Sequence, residues 1–435
     1  MKKKPLLETA KSPQKVSSRS HLGEHVPRLR FPGFDEDWGG RKFGSVFDFI
    51  PNNTLARSEL VATNGKVRNI HYGDILVKFG SVVDVRSDEI PFIANQDSAA
   101  FSRCLKDGDV IIADTAEDET VGKAAELIGL DGAEVEAGLH TIACRPRENF
   151  APRFLGYCLN SSEYHRRLMP LMQGIKVLSL SKSQISGTEF FIPRQKFEQE
   201  KIASFLSLVD SRIDKLRRLI DLLKKHNRGV VEQLFGRRLT MGKPVAWTTK
   251  RLRDLFTKVA RRNKNCAVKN VITNSAEHGL IPQRDFFDKD IAVDGNTGAY
   301  YVIRTGDFVY NPRKSTTAPF GPFNRYTGTD DGIISPLYTC LVPNGGADPE
   351  YLAWYFRSTA WHRYVYDNGS QGARHDRVNM TDDLLFGIPI LLPDLQSQKR
   401  IANALNELDA RSTAAQSVLE RLLDMKRGLL QQLFV

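Results

Sequence analysis

Residues 199–235 read QEKIASFLSLVDSRIDKLRRLIDLLKKHNRGVVEQLF, and residues 398–434 read QKRIANALNELDARSTAAQSVLERLLDMKRGLLQQLF. The two align without a gap at an offset of 199, and 12 of the 37 pairs are identical. The identities include Gln199/Gln398, Ile202/Ile401, Ala203/Ala402, Leu206/Leu405, Asp210/Asp409 and the closing Gln233-Leu234-Phe235/Gln432-Leu433-Phe434. Such a period is far too long for a solenoid. It implies two copies of a domain-plus-helix unit, and hence an internal pseudo-dyad suited to a two-part target.

Within the first copy Ile202, Leu206, Val209, Ile213, Leu216, Ile220, Leu223, Val230 and Leu234 follow one another in alternating steps of four and three, interrupted at Asn227. That is a coiled-coil seam. The second copy keeps the register with Ile401, Leu405, Leu408, Leu419, Leu422, Leu429 and Leu433, with Ser412, Ala415 and Lys426 at the remaining seam positions. Neither stretch contains proline, so each can run for about 36 residues, roughly 54 Å. Antiparallel pairing about the pseudo-dyad sets Ile202 opposite Leu433, Leu216 opposite Leu419, Ile220 opposite Ala415, Asn227 opposite Leu408 and Lys426 opposite Val209. Small residues then meet large ones across the seam.

The duplication extends outward from the helices. Trp38, Phe43, Val46 and Phe47 match Trp247, Leu252, Leu255 and Phe256. Tyr72-Gly73-Asp74-Ile75-Leu76 is aligned with Thr305-Gly306-Asp307-Phe308-Val309, each Gly-Asp reading as a tight turn feeding a strand. His140–Pro146 matches Leu337–Pro343, and Pro152-Arg153-Phe154-Leu155 matches Pro349-Glu350-Tyr351-Leu352, with proline opening a short helix. A polar loop follows in each copy (Gln173-Gly174-Ile175-Lys176; Ser370-Gln371-Gly372-Ala373-Arg374), then a strand ending at Pro193 or Pro393. Each copy therefore carries a β-rich head of roughly 150 residues, an ordinary domain size. The fold class expected is α+β: two β-rich heads joined by two long antiparallel helices that form a coiled coil.

The net charge of +11 is unevenly spread. Residues 1–30 carry 8 basic and 2 acidic side chains, 31–200 carry 19 and 25, 201–270 carry 19 and 5, and 271–435 carry 16 and 19. The first helix and the stretch after it, with Arg237, Arg238, Arg251, Arg253, Arg261, Arg262, Lys264 and Lys269, form the basic element, which fits phosphate contact. Residues 1–27 read as a basic disordered tail. With no apolar run of 18 residues and no signal-type segment, the chain is expected to be soluble and cytoplasmic. Its cysteines, at 104, 144, 158, 266 and 340, have no CxxC spacing and read as reduced core residues.

No catalytic constellation emerges. GxGxxG and GxxxxGK[ST] are absent. Asn311-Pro312-Arg313-Lys314 lacks the second proline and the aromatic of an amino-methyltransferase loop. No metal site is expected, since His140 and Cys144 lie in a strand. The chain reads as a recognition device, with no catalytic residues and no cofactor of its own.

The ordered duplication resembles the specificity subunits of type I restriction–modification systems. The resemblance rests on the strand-Pro, Gln-x-x-Ile-Ala, Leu, Asp opening of each long helix, together with the Gly-Asp turn and the Trp-to-Leu opening of each head, and covers about residues 28–435. One departure is that the first opening, Pro193 to Gln199, is one residue longer than Pro393 to Gln398. The resemblance implies target-recognition domains at 28–195 and 237–395 and coiled-coil helices at 196–236 and 396–435. Each head would read half of a bipartite DNA site in phage defence. The helices would set the spacer, about one helical turn or 34–36 Å, and dock two methyltransferase subunits, with two restriction subunits joining them. S-adenosylmethionine, ATP and Mg would belong to those partners. A non-DNA scaffold pairing two protein-binding heads is the alternative reading.

Base readers are expected in the polar loops. In the first head these are Lys78, Ser81 and Arg86, then Gln173, Lys176 and Ser179. In the second they are Asn311, Arg313, Lys314 and Ser315, then Gln371, Arg374, His375 and Arg377. Arg and Lys suit guanine edges, and Gln or Asn suits adenine.

Overall fold

A computed structural model describes residues 25–95, 97, 99, 104–239, 246–285, 297–369 and 376–435. The chain divides into two compact units, Met1–Lys215 with Leu419–Val435, and Leu216–Val418. The mixed α+β architecture expected from the duplication is the one observed.

In the first unit a five-stranded sheet runs in the order Phe47–Ile50, Thr141–Pro146, Val110–Ala113, Ala124–Ile128, Val82–Asp84. Its neighbours are antiparallel except for the last pair. In the second unit a four-stranded antiparallel sheet runs Phe256–Lys258, Thr339–Pro343, Phe308–Tyr310, Phe323–Arg325. These four strands reproduce the first four of the first head in order and direction. Each head is closed by a two-stranded ribbon leading into its long helix, Gly39–Lys42 with Glu189–Ile192 and Thr248–Arg251 with Pro389–Leu392. The first head adds a four-stranded sheet built around Val67–Ile70 and Glu134–Ala137.

The long helices span Lys196–Phe235 and Leu395–Gln432. Their shared opening glutamine has a structural task in each copy. Gln199 accepts from the Ala151 backbone N–H (3.2 Å) and donates to the Pro193 carbonyl (3.1 Å). Gln398 accepts from the Asp348 N–H (2.8 Å) and donates to the Pro393 carbonyl (2.8 Å). A buried amide that satisfies two main-chain groups fixes where the strand ends and the helix begins.

Every seam residue named from the sequence is buried or half-buried. In the first unit Ile202, Ala203 and Leu206 share one core with Leu433 and Phe434. In the second, Ile401, Ala402 and Leu405 share one with Leu234 and Phe235. Each head thus packs the start of the helix that follows it and the end of the other long helix. Within the first unit Lys426 pairs with Asp210 at 2.5 Å, and Asp210 also accepts from the Tyr157 hydroxyl (2.9 Å). Within the second, Asn227 Nδ2 donates to the Leu408 carbonyl at 3.1 Å. These contacts fall where antiparallel pairing puts Lys426 and Asn227.

Asn227 is 8% exposed, and its Oδ1 has no hydrogen-bond partner. A polar seam residue fixes register at a cost in stability, and an unsatisfied buried carbonyl adds to that cost. Asn227→Leu is expected to stabilise the chain by about 1 kcal/mol, read as a higher urea midpoint. A lower midpoint would show that the single bond to Leu408 outweighs the orphaned oxygen.

Residues 25–30, ahead of the first ribbon, are tied to the ribbon and helices of their own unit, so the disordered tail expected over 1–27 does not reach His25, and residues 1–24 lie outside the described residues. His25 stacks on Phe191 with centroids 4.1 Å apart, and the Leu29 N–H reaches the Gln432 carbonyl at 2.9 Å. Arg30 grips the buried Glu198 carboxylate with two bonds of 2.7 and 2.9 Å. Cys144, Cys158 and Cys340 are buried as expected, whereas Cys104 and Cys266 are only partly covered; all five are free thiols. No helix among the described residues is long and apolar enough to cross a membrane.

Candidate nucleic-acid interface

The strand pairing identifies which Gly-Asp turns are equivalent, and corrects the sequence alignment. Gly306-Asp307 leads into Phe308–Tyr310, whose counterpart in the first sheet is Val110–Ala113. The matching turn is therefore Gly108-Asp109, not Gly73-Asp74. Gly108 and Gly306 have φ of 86° and 95°, a region that favours glycine. Their N–H groups bond to the neighbouring strand at Leu127 and Tyr326, both at 2.8 Å. Asp109 and Asp307 each close the turn by accepting from the N–H three residues earlier, Lys106 at 2.7 Å and Arg304 at 2.8 Å. Asp109 is also gripped by Arg145 through bonds of 2.9 and 2.7 Å, and Asp307 by Arg261. Burial pushes the Asp307 carboxyl above its ordinary value. Gly73-Asp74 instead opens a helical turn, Asp74–Lys78, with Asp74 held by Arg57.

Beyond these strands the two heads build the same edge. In the first, Thr115–Ala116 pairs with Leu178–Ser179, and the Leu180 N–H bonds to the Asp114 carbonyl at 2.8 Å. In the second, Arg313 bridges Arg377, and the Val378 N–H bonds to the Pro312 carbonyl at 2.8 Å. Thr115 and Ser179 correspond to Arg313 and Arg377 at a common offset of 198. The polar loops expected to act together are brought together here: Gln173, Lys176 and Ser179 are exposed along the first edge, and Arg313, Lys314, Ser315 and Arg377 gather along the second. The Lys314 N–H also reaches the Asp376 carbonyl at 2.8 Å. Arg313 and Arg377 both lie near Tyr338, whose hydroxyl is pushed above its ordinary range by burial, against the pull of those two charges.

Other expected readers sit elsewhere. Ser81 is 6% exposed and its carbonyl accepts from the Glu126 N–H, so it is core. Asn311 is 6% exposed; its Oδ1 accepts from the Arg313 N–H at 3.0 Å, shaping the loop from beneath. Arg86 lies at the other end of the sheet, beside Ile128 and Gly129, with its guanidinium on Asp84 at 2.9 and 2.7 Å. Lys78 is exposed and bonds to the Glu89 carbonyl. Gln371, Arg374 and His375 lie outside the described residues. In the basic stretch, Arg261 holds Asp307 and Arg262 stacks over Tyr301 at 3.7 Å, so these two serve the fold of the second head.

The misplaced turn hid one loop, residues 114–120 of the first head. It carries Asp114, Glu117, Asp118 and Glu119, where the second head has Arg313 and Lys314. The signal that could have found it is the run Gly108-Asp109-Val110-Ile111-Ile112, a second Gly-Asp followed by an apolar strand. A charge exchange separates the heads at one further position. Glu126 accepts from the N–H groups of Arg153 (2.6 Å) and Gly156 (2.9 Å), capping a short helix, and burial pushes its carboxyl up to about 7. At the equivalent strand and helix positions the second head has Arg325 paired with Glu350.

Among the described residues no cluster of His, Cys, Asp and Glu could hold a metal ion. No protein-family profile matches the chain. It is 20% identical over 351 residues to the type I restriction enzyme StySPI specificity subunit of Salmonella potsdam, covering 76% of this chain and 74% of that one. It is 24% identical over 423 residues to a Methanocaldococcus jannaschii protein named provisionally as the type I restriction enzyme MjaX specificity subunit, covering 89% and 90%. In fold it matches the S subunit of the type I restriction–modification system of M. genitalium, with a TM-score of 0.52 at 14% identity over 94% of this chain and 99% of that one. A chain solved to explain complex assembly and conformational transition in a type I restriction–modification system matches with a TM-score of 0.54 at 18% identity, over 93% and 98%. The resemblance read from the duplicated helices is thus borne out: the chain's curated relatives are named as specificity subunits of type I restriction–modification systems, and its fold neighbours come from such systems, one of them an S subunit.

Proposed function

We propose that this chain is the DNA-reading subunit of a type I restriction–modification complex, each head reading one half of a bipartite site. The observation that carries this reading is the edge built twice. Two heads with separate cores present loops at the same offset, held by the same main-chain bonds, but with opposite charge. Equal frames with unlike side chains suit two unlike half-sites. The helices set the spacer and dock methyltransferase subunits, for which Leu219 and Leu222, exposed off the seam in the second unit, supply apolar surface. Two methyltransferase and two restriction subunits complete the assembly. S-adenosylmethionine, ATP and Mg act there, and this chain is non-catalytic. The rival scaffold reading finds no support among the curated relatives.

The test is co-expression with the methyltransferase subunit encoded beside this chain, followed by mapping of methylated adenines in host DNA. A split motif with a fixed gap is expected. No new methylation from a stable complex would overturn the reading. In the same assay Arg313→Ala and Arg377→Ala are each expected to relax one base pair of a single half-site by about 1–3 kcal/mol. Uniform weakening across all sites would mark either arginine as a phosphate anchor instead.

A further inference from the structure

We propose that Ile175 is a base-contacting residue of the first head, an apolar tip that a rigid finger presses into the half-site this head reads. The inference rests on the DNA-reading function proposed above. The finger is residues 173–179. At its base Gln173 and Ser179 exchange both main-chain bonds, at 3.1 and 2.8 Å, and Ser179 Oγ adds a third to the Gln173 carbonyl at 3.3 Å. The far side of the base is locked onto Thr115–Ala116. Inside the finger Gly174 has φ of 132°, and a Cβ there would lie 1.8 Å from the Val177 carbonyl oxygen, so the turn admits glycine alone. The result is a short, pinned turn that holds Ile175 100% exposed, beside the exposed Lys176 and a half-exposed Val177.

A single exposed aliphatic residue needs no explanation on most surfaces. This one stands on an obligatory glycine turn, on the edge whose counterpart in the second head carries Arg313, Lys314 and Arg377. Preorganised geometry of that kind lowers the ordering cost of a contact. The loop that follows the paired strand is acidic, which favours bases over backbone. Glu117, Asp118 and Glu119, exposed on the loop beyond Thr115–Ala116, repel phosphate but accept from the amino groups of cytosine and adenine. An isoleucine on the turn that leads into the strand paired with Thr115–Ala116 suits the thymine methyl group or the gap between two stacked bases. In sequence the second head has Gln371-Gly372-Ala373-Arg374 at the same offset, with the smaller alanine in place of isoleucine.

The experiment uses the full chain assembled with its methyltransferase subunits, once the wild-type motif is mapped. Failure of the wild type to give a split motif removes the DNA-reading function, and this inference with it. Given the motif, Arg313→Ala identifies the half-site read by the second head. Ile175→Ala is then expected to lose about tenfold in discrimination at one base pair of the other half-site, with Ile175→Leu retaining most of it. Deoxyuridine in place of thymine at that pair should weaken the wild type and leave Ile175→Ala unaffected if the methyl group is the target. An adjacent 2-aminopurine should brighten with the wild type only if the side chain enters the stack. Unchanged preference in Ile175→Ala, or equal weakening at both half-sites, overturns the inference.

Discussion

Phe434→Ala is expected to destabilise the first unit by roughly 3–5 kcal/mol. Its ring is 3% exposed, edge-on to Trp38 at 6.1 Å and tilted against Phe154 at 6.0 Å, in one core with Ile202 and Leu206. Removing it empties a site lined by two helices and the first head, which cannot collapse without moving all three. Phe235→Ala is the matched experiment for the second unit, where that ring is 2% exposed and meets Tyr351 and Tyr355 edge-on at 5.3 and 5.5 Å. Hydrogen exchange reads both. Phe434→Ala should lose protection in Phe47–Ile50 and Thr141–Pro146, and Phe235→Ala in Phe256–Lys258 and Thr339–Pro343. Loss in the opposite head from either variant would contradict the assignment of each phenylalanine to its core.

Asp109→Ala should cost about 3 kcal/mol and loosen base preference in the half-site read by the first head. The carboxylate is 1% exposed and receives two bonds from Arg145 and one from the Lys106 N–H. Its loss leaves a half-buried guanidinium and an unclosed turn at once. That turn aims strand Val110–Ala113, and hence the loop paired with the finger. Asp307→Ala should cost less, because burial already disfavours the ionised form of Asp307. Urea midpoints give the stability order and methylation mapping gives the specificity. A smaller loss for Asp109→Ala than for Asp307→Ala would reverse the comparison.

The candidate site was legible in part. The loops around Gln173–Ser179 and Arg313–Ser315 stand out because polar, glycine-containing segments interrupt apolar strands. The first-head counterpart of the Arg313 loop did not, because Gly73-Asp74-Ile75 and Gly108-Asp109-Val110 have the same local chemistry, and turn composition cannot say which one feeds a strand. Only pairing with Thr141–Pro146 and Ala124–Ile128 distinguishes them. Ser81 and Arg86 were misplaced for the same reason, having been located by the wrong turn.

The sequence by itself determined the duplication, the two long helices and their seam. These follow from a gapless offset and a period of 3.5 residues, which are properties of local order along the chain. With the helices set antiparallel, that period puts Asn227 opposite Leu408, to which it bonds, and Lys426 opposite Val209, one residue from its partner Asp210. The tertiary structure decided what depends on contacts between distant residues: the closure of the first head's core by Leu433 and Phe434, the equivalence of Gly108-Asp109 with Gly306-Asp307, and the exchange of Glu126 and Arg153 for Arg325 and Glu350. Such contacts are selected by burial and hydrogen bonding across the sheet, and no periodicity along the chain records them.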